Sequence, residues 1–361
     1  VSDALPLFPG VAVMLKCNHL NHHHHSNMSE VDIAKADLPI DYEGNLNRVD
    51  RASPKYARTF LEWIDGTSRL ITNESIRIAL QTGDPSAVTG IFDGLPYPKP
   101  RYPGYDEEVS VEKSNKRMAN LEDEIAQKML EQNVAIAKPA GEAAWAFLPK
   151  IGVETVGRFN IMNPFVIPEA QARVGWLITE VRNGTQRGLR DVITKITTDA
   201  YDMQLTEAQA SRQIRGAIGL RNDQMNALMK IEASAIARGL EGDALERLMQ
   251  RETRKRLNYR ASMIGRTELN RAASMGRHAA WKQAQTDGLM QGRIAYVEWV
   301  AGLTDRTCPI CQSLHGERTL LGADFSTQGF EGLSSSEQVS GETPPIHPLC
   351  RCTTILVMED I

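Results

Sequence analysis

The chain has 361 residues, of which 42% are hydrophobic and 24% charged, and its formal net charge is −4. That balance excludes disorder throughout and leaves room for about two domains. Aromatic residues make up only 6%, which favours helices packed through Ala and Met over an aromatic-rich sandwich, and the small net charge gives no whole-chain case for a nucleic-acid partner.

From the N-terminus, the apolar run Ala4 to Met14 is broken by Pro6, Pro9 and Gly10 and has no basic lead, so it reads poorly as a signal peptide. Cys17, His19 and His22 to His25 have metal-binding chemistry, but a tag-like or low-complexity tail, or translation upstream of the start, is the stronger reading. Met28, before Ser29 and Glu30, is the expected initiator. Residues 29–50 are polar and aperiodic and are expected to form an extended arm. Ser53-Pro54 reads as an N-cap followed by proline at the first helical position. Tyr56, Phe60, Trp63 and Ile64 then follow at helical spacing, and a second helical piece is expected from Glu74 to Leu80. Pro96, Pro98, Pro100 and Pro103, with Gly94 and Gly104, mark a linker.

Helix returns from Val111 to Ala137, with Met118, Leu121, Ile125, Met129 and Val134 on one stripe, and Pro139 and Gly141 are expected to interrupt it. Glu169 to Ala200 reads as one or two helices. Thr206 to Gln209 forms a capping box that opens the next one, and Asn222-Asp223 starts another. Leu245 to Ala284 is helical and basic, carrying Arg251, Arg254, Lys255, Arg256 and Arg260 among others, and Gly288 and Gly292 close it. Val297, Trp299 and Ala301 alternate as in a strand, and Thr353 to Met358 is the expected companion. No stretch reaches the roughly 18 apolar residues of a membrane span.

The expected organisation is therefore a flexible arm (1–50), a small helical region (51–95), a Pro-rich linker (96–110), a helical domain (111–290) and a small α+β module (291–361). The fold class is mainly α, with the C-terminal module stabilised by a Cys/His cluster.

That cluster is the sharpest chemical signal. Cys308-x-x-Cys311 is followed by His347-Pro-Leu-Cys350-Arg-Cys352. A two-residue gap lets both thiolates of a knuckle reach one ion, and Zn²⁺ asks for four Cys or His donors in a tetrahedron. Five candidates serve four places. If Arg351 lies in a strand, Cys350 and Cys352 share a face and an all-cysteine site results; alternatively His347 replaces one of them. His315 is a weaker candidate. The competing readings are a disulfide or buried free thiols, and clustering at one end without an export signal argues for reduced thiols. A closed set reserves no place for water, so the site reads as structural.

A second feature is Glu268, which helical spacing places among Ile264, Ala272, Met275 and Ala279 on the apolar face. Arg266 or Arg271 is expected to pair with it, because a lone buried carboxylate is costly. The alternative is a hydrolase or transferase with Glu268 and Arg266 lining a cleft. A third feature is charge asymmetry: nine acidic residues from Glu298 to Asp360 face only Arg306, Arg318 and Arg351. The basic helix either answers that module or offers Arg251, Arg254, Lys255, Arg256 and Arg260 to a protein partner or to DNA phosphates, and a zinc-stabilised DNA-binding module is the further alternative. There is no P-loop, G-x-G-x-x-G, H-E-x-x-H or G-x-S-x-G motif. A Cys308/His347 protease pair would leave the other cysteines unexplained.

Several uncommon elements occur here in one order: Ile264-Gly265-Arg266-Thr267-Glu268, Val297-Glu298-Trp299, Thr304 to Cys311, Gly316, and Pro344 to Cys352. Together they resemble the phage head morphogenesis family, the Mu F-like minor head proteins. The match is strong over roughly residues 255–357 and weaker back to about 155. The resemblance implies a non-enzymatic, low-copy virion protein of the phage head, present in the host cytoplasm during assembly. It implies portal, capsid or scaffold partners, with no membrane and no small-molecule substrate, and a role in head assembly, DNA packaging or ejection.

Overall fold

The computed structural model describes residues 42–98, 100–103, 116–199, 207–301, 307–330 and 338–361. The N-terminal Cys/His run, Met28 and Thr206 of the expected capping box lie outside the described residues. The fold is mostly helical, with a small C-terminal sheet region beside a Cys/His cluster. Its helices are α1 (Tyr42–Leu70), α2 (Asn73–Thr82), α3 (Ser86–Thr89), α4 (Lys116–Phe147), α5 (Ile167–Asp199), α6 (Glu207–Ala217), α7 (Asn222–Ala237), α8 (Gly242–Thr286) and α9 (Pro309–Leu314). The strands are β1 (Arg293–Val300), β2 (Arg318–Leu320), β3 (Phe325–Ser326), β4 (Ser340–Gly341) and β5 (Thr353–Asp360).

Two expectations about proline are corrected. Ser53-Pro54 does not open α1, because the helix begins at Tyr42 and Pro54 lies inside it. Val49, Tyr56, Phe60, Trp63 and Ile64 are all buried, so one apolar stripe runs through the proline and sustains the helix despite the lost amide hydrogen. Likewise α4 continues through Pro139. Ala137, Ala140, Ala144 and Trp145 remain buried on both sides of it.

The described residues divide into two compact units, one holding those within 42–53, 132–168 and 263–361, the other those within 54–131 and 169–262. In the second unit the proline-rich segment is docked on helices. Arg182 donates to the Pro96 carbonyl at 3.2 Å and to Glu122 at 2.8 Å, Tyr97 donates to the Ala172 carbonyl at 2.5 Å, and Gln171 donates to the Pro100 carbonyl at 2.7 Å. Gly175 of α5 makes this approach possible, since a Cβ there would strike the Tyr97 ring and the Pro98 carbonyl.

In the first unit the backbones of α4 and α8 touch. A Cβ on Gly276 would collide with the Ala137 carbonyl, and one on Gly141 would meet the Phe159 ring and the Gly276 carbonyl oxygen. Glycine at these two positions is therefore a packing requirement. The sheet beside α8 is antiparallel in the order β2-β1-β5, with Val297 opposite Leu356 and Trp299 opposite Thr354. The expected pairing of the Val297 and Thr353 segments is thus present. Its inner face buries Ala295, Val297, Trp299, Thr354 and Leu356, while Trp281 is buried from α8 and Phe325 packs edge-on to Trp299 at 5.2 Å.

Candidate metal centre

The five sequence candidates arrive on two pieces of chain. Cys308 is the N-cap residue of α9, extended at φ −75° and ψ 158°, and Cys311 lies in that helix's first turn. Pro309 starts the helix with its φ already suitable. α9 is tied to β1 by the Gly316 amide donating to the Trp299 carbonyl at 2.8 Å and the Trp299 amide donating to the Glu317 carbonyl at 2.9 Å. His315 sits at its C-terminus, where Nδ1 accepts from the Ala301 amide at 3.3 Å.

The second piece, residues 342–352, is gripped by one helix. Along α8, Thr267 accepts from the Leu349 amide at 3.0 Å, Asn270 donates to the Cys350 carbonyl at 2.8 Å, and Arg271 donates to the Pro345 carbonyl at 2.7 Å. Further along, Lys282 pairs with Glu342 at 2.6 Å. His278 stands between Glu342, 3.4 Å away, and the Thr354 hydroxyl, 2.8 Å away. Leu349 takes the left-handed conformation at φ 60°, and the Pro344-Pro345 bond is cis. This turn delivers His347, Cys350 and Cys352 to the Cys308-Cys311 knuckle.

The donors meet in two triads, Cys308/Cys311/His347 and Cys311/Cys350/Cys352, within each of which every donor atom is within 4.8 Å of the others. His347 Nε2 lies 3.2 Å from Cys308 Sγ and 2.9 Å from Cys311 Sγ, and Cys311 Sγ lies 3.7 Å from Cys350 Sγ. The four cysteines are free thiols, three of them buried. These groups are close enough to bind a metal ion.

Electrostatics point the same way. Contact with Cys311, and then with His347, pulls the Cys308 thiol down to about 5 against the opposing effect of burial. Its contacts with Cys308, Cys350 and Cys352 push Cys311 far up. Burial raises Cys350, but its sulfur and imidazole neighbours outweigh that and hold it well below the usual thiol range. Cys311 pulls Cys352 down, yet Cys350 and burial win and leave it well above that range. Burial also opposes charge on His347, and the thiols of Cys308 and Cys350 override it, raising the imidazole to about 11. Without a cation the sulfurs compete for protons, whereas a divalent ion lets the coordinated thiols all ionise.

The other singled-out residues lie along α8. Glu268 is buried in α8, Arg266 pairs with Asp50 at 3.3 Å near the surface, and Arg271 reaches the Pro345 carbonyl. On the basic half of α8, Arg251 and Lys255 are exposed, Arg254 faces Asp65 at 3.5 Å, and Arg256 is bound to Glu252 at 2.8 Å. Arg260 turns inward onto the Gly219 carbonyl, and burial lowers its guanidinium to about 10, still charged at neutral pH. Sequence reasoning missed Thr267, Asn270 and His278. Their positions at helical intervals carry the signal, but only the fold shows that the turn at 342–352 lies against that face.

Fold and site together define a helical protein with a small C-terminal module built round a Cys/His cluster. Residues 227–355, which include all five candidate donors, match the family described as phage Mu protein F like protein. The C-terminal part of the chain is thus similar to that family. No curated protein and no solved structure matches the chain. No helix among the described residues is long and apolar enough to cross a membrane.

Proposed function

We propose that this protein is a minor structural component of a tailed-phage head. It docks at the portal vertex or inner capsid during head assembly, DNA packaging or ejection, and a zinc ion holds its C-terminal module rigid. The observation that carries this reading is the coincidence of the Mu F-like match with the cluster. The chemistry is structural: three thiolates with an imidazole, or four thiolates, form a closed donor set in which no place is kept for a substrate or water. Zinc is the ion that such soft, tetrahedral donors suit best. Bound there, it fixes the knuckle of α9 to the turn ahead of β5, and the module, whose sheet is small, gains stability from it.

Contact with the partner falls to exposed surface. Arg251 and Lys255, one helical turn apart on α8, present positive charge to portal, scaffold or packaged DNA, with Arg254 beside them. Arg256 and Arg260 are held by Glu252 and Gly219 and serve the helix itself. Quantitative mass spectrometry of purified particles, with co-purification on portal rings, tests the reading. The protein is expected in mature heads at low copy and retained by portal. Absence from both proheads and mature particles overturns it.

A further inference from the structure

Five soft donors surround a site that takes four, and the contacts among them are unequal. We infer that the ion is held by Cys308, Cys311, His347 and Cys350, with Cys352 outside the coordination sphere. This rests on the metal reading above and deepens it.

Cys308, His347, Cys311 and Cys350 form a continuous chain of donor-atom contacts at 3.2, 2.9 and 3.7 Å. Cys352 lies within 4.8 Å of Cys311 and Cys350 and touches both sulfurs, but the imidazole of His347 is in contact with Cys308, Cys311 and Cys350. Zinc bonds of about 2.3 Å to sulfur and 2.0–2.1 Å to nitrogen give tetrahedral edges of about 3.8 Å between sulfurs and about 3.5 Å from sulfur to nitrogen. The Cys311–Cys350 separation already equals the first. The two imidazole contacts are a few tenths of an ångström short of the second, which a small tilt of the ring supplies.

The imidazole itself is set up for coordination. His347 Nδ1 lies 2.9 Å from the Pro348 carbonyl. An acceptor there keeps a ring hydrogen on Nδ1, so the proton that an ion would displace is the one on Nε2, the nitrogen that faces two thiols. A hydrogen-bonded second nitrogen of this kind is the usual support of a metal-bound histidine.

Cys352 stands directly before β5, whose first residue is already registered against Val300, so moving its sulfur displaces a paired strand. Cys350 belongs to the turn, outside the paired strand. Three thiolates and a neutral imidazole leave a zinc site with one net negative charge, whereas four thiolates leave two, and burial favours the smaller.

The test uses the full-length chain. Cadmium-113 NMR of the cadmium-loaded wild type distinguishes three sulfurs plus nitrogen from four sulfurs without any substitution, and the former is expected. Chelator competition then compares variants. C352S is expected to bind one zinc per chain within about threefold of wild type, while C308S, C311S, C350S and H347A lose more than the 10- to 100-fold typical of an outer-shell change. A four-sulfur cadmium signal, or zinc lost from C352S and kept by H347A, overturns the assignment and leaves the structural zinc intact. Failure of the wild type to take up zinc or cadmium overturns the metal reading as a whole.

Discussion

Asn270 is the most informative single position for the site. Its amide donates to the Cys350 carbonyl at 2.8 Å, and both residues are buried. In Asn270→Ala the acceptor is left without this partner away from water, at a cost of about 1–3 kcal/mol. How that cost divides depends on when the bond forms. If the turn holds the same conformation with and without metal, the loss appears wholly as reduced stability of the metal-free protein, and zinc affinity is unchanged. If repulsion among the thiols opens the turn in the metal-free state, the bond belongs to the metal-bound state alone, and the same cost weakens zinc binding by about 5- to 150-fold. The second outcome is expected, because Leu349 adopts φ 60° beside a group of sulfurs competing for protons. Chelator competition measures the affinity, and urea unfolding of the chelated protein measures the stability. Arg266→Ala is the control: it lies on the same helix in an exposed pair with Asp50 and should change either quantity by less than about 1 kcal/mol. Unchanged affinity in Asn270→Ala, with a less stable metal-free protein, would refute the reasoning.

Other outcomes follow from the same geometry. Zinc removal by a chelator should expose the cysteines from 308 to 352 to alkylation and open residues 300–352 to proteolysis, with α4 still protected; unchanged cleavage would contradict a metal-held module. Gly276→Ala should destabilise by more than about 3 kcal/mol, since its methyl meets the Ala137 backbone, whereas Gly184→Ala in α5, with nothing within 4 Å, should be neutral or stabilise by up to about 1 kcal/mol. Urea midpoints of the two variants test this. Glu122 supplies a pH dependence: burial outweighs Arg182 and raises its carboxyl from 4.5 to about 7. Its contribution is therefore fully present below about pH 4.5 and is lost as pH rises through about 7, worth about 3 kcal/mol across that window. Glu122→Gln should gain on wild type by that amount between pH 4.5 and 8, and a difference independent of pH would show that Arg182 cancels the effect of burial.

The sequence disclosed those features whose physics is local. The apolar stripe of α4 from Met118 to Val134, the alternation of β1 and the Cys308-Cys311 spacing all follow from neighbours a few residues apart, and each appears in the fold. Pro54 and Pro139 misled because a proline's local cost is a few kcal/mol, less than a long buried stripe returns. The docked Pro96–Pro103 segment was opaque for the opposite reason. Its acceptors are backbone carbonyls and its seat is Gly175, so no side-chain pattern advertises it. Arg182 and Glu122, sixty residues apart, show the same limit.

The site divides along the same line. Residue type and spacing announce the donors, but not which four converge, because that depends on a turn held against α8 by Thr267, Asn270 and Arg271. Those three residues fall within one turn of the helix, in the segment that also holds Arg266 and Glu268. Read as a sequence, this segment suggests an ion pair or a catalytic acid. In the fold, its hydrogen-bonding side chains hold backbone atoms of the turn that carries His347 and Cys350. A small sheet whose long strands are eight residues each cannot by itself fix a turn of this length. The helix orients one half of the site, β1 orients the other through α9, and an ion between them would lock both to the same frame. Rigidity of this kind is what the proposed docking role would ask of the module.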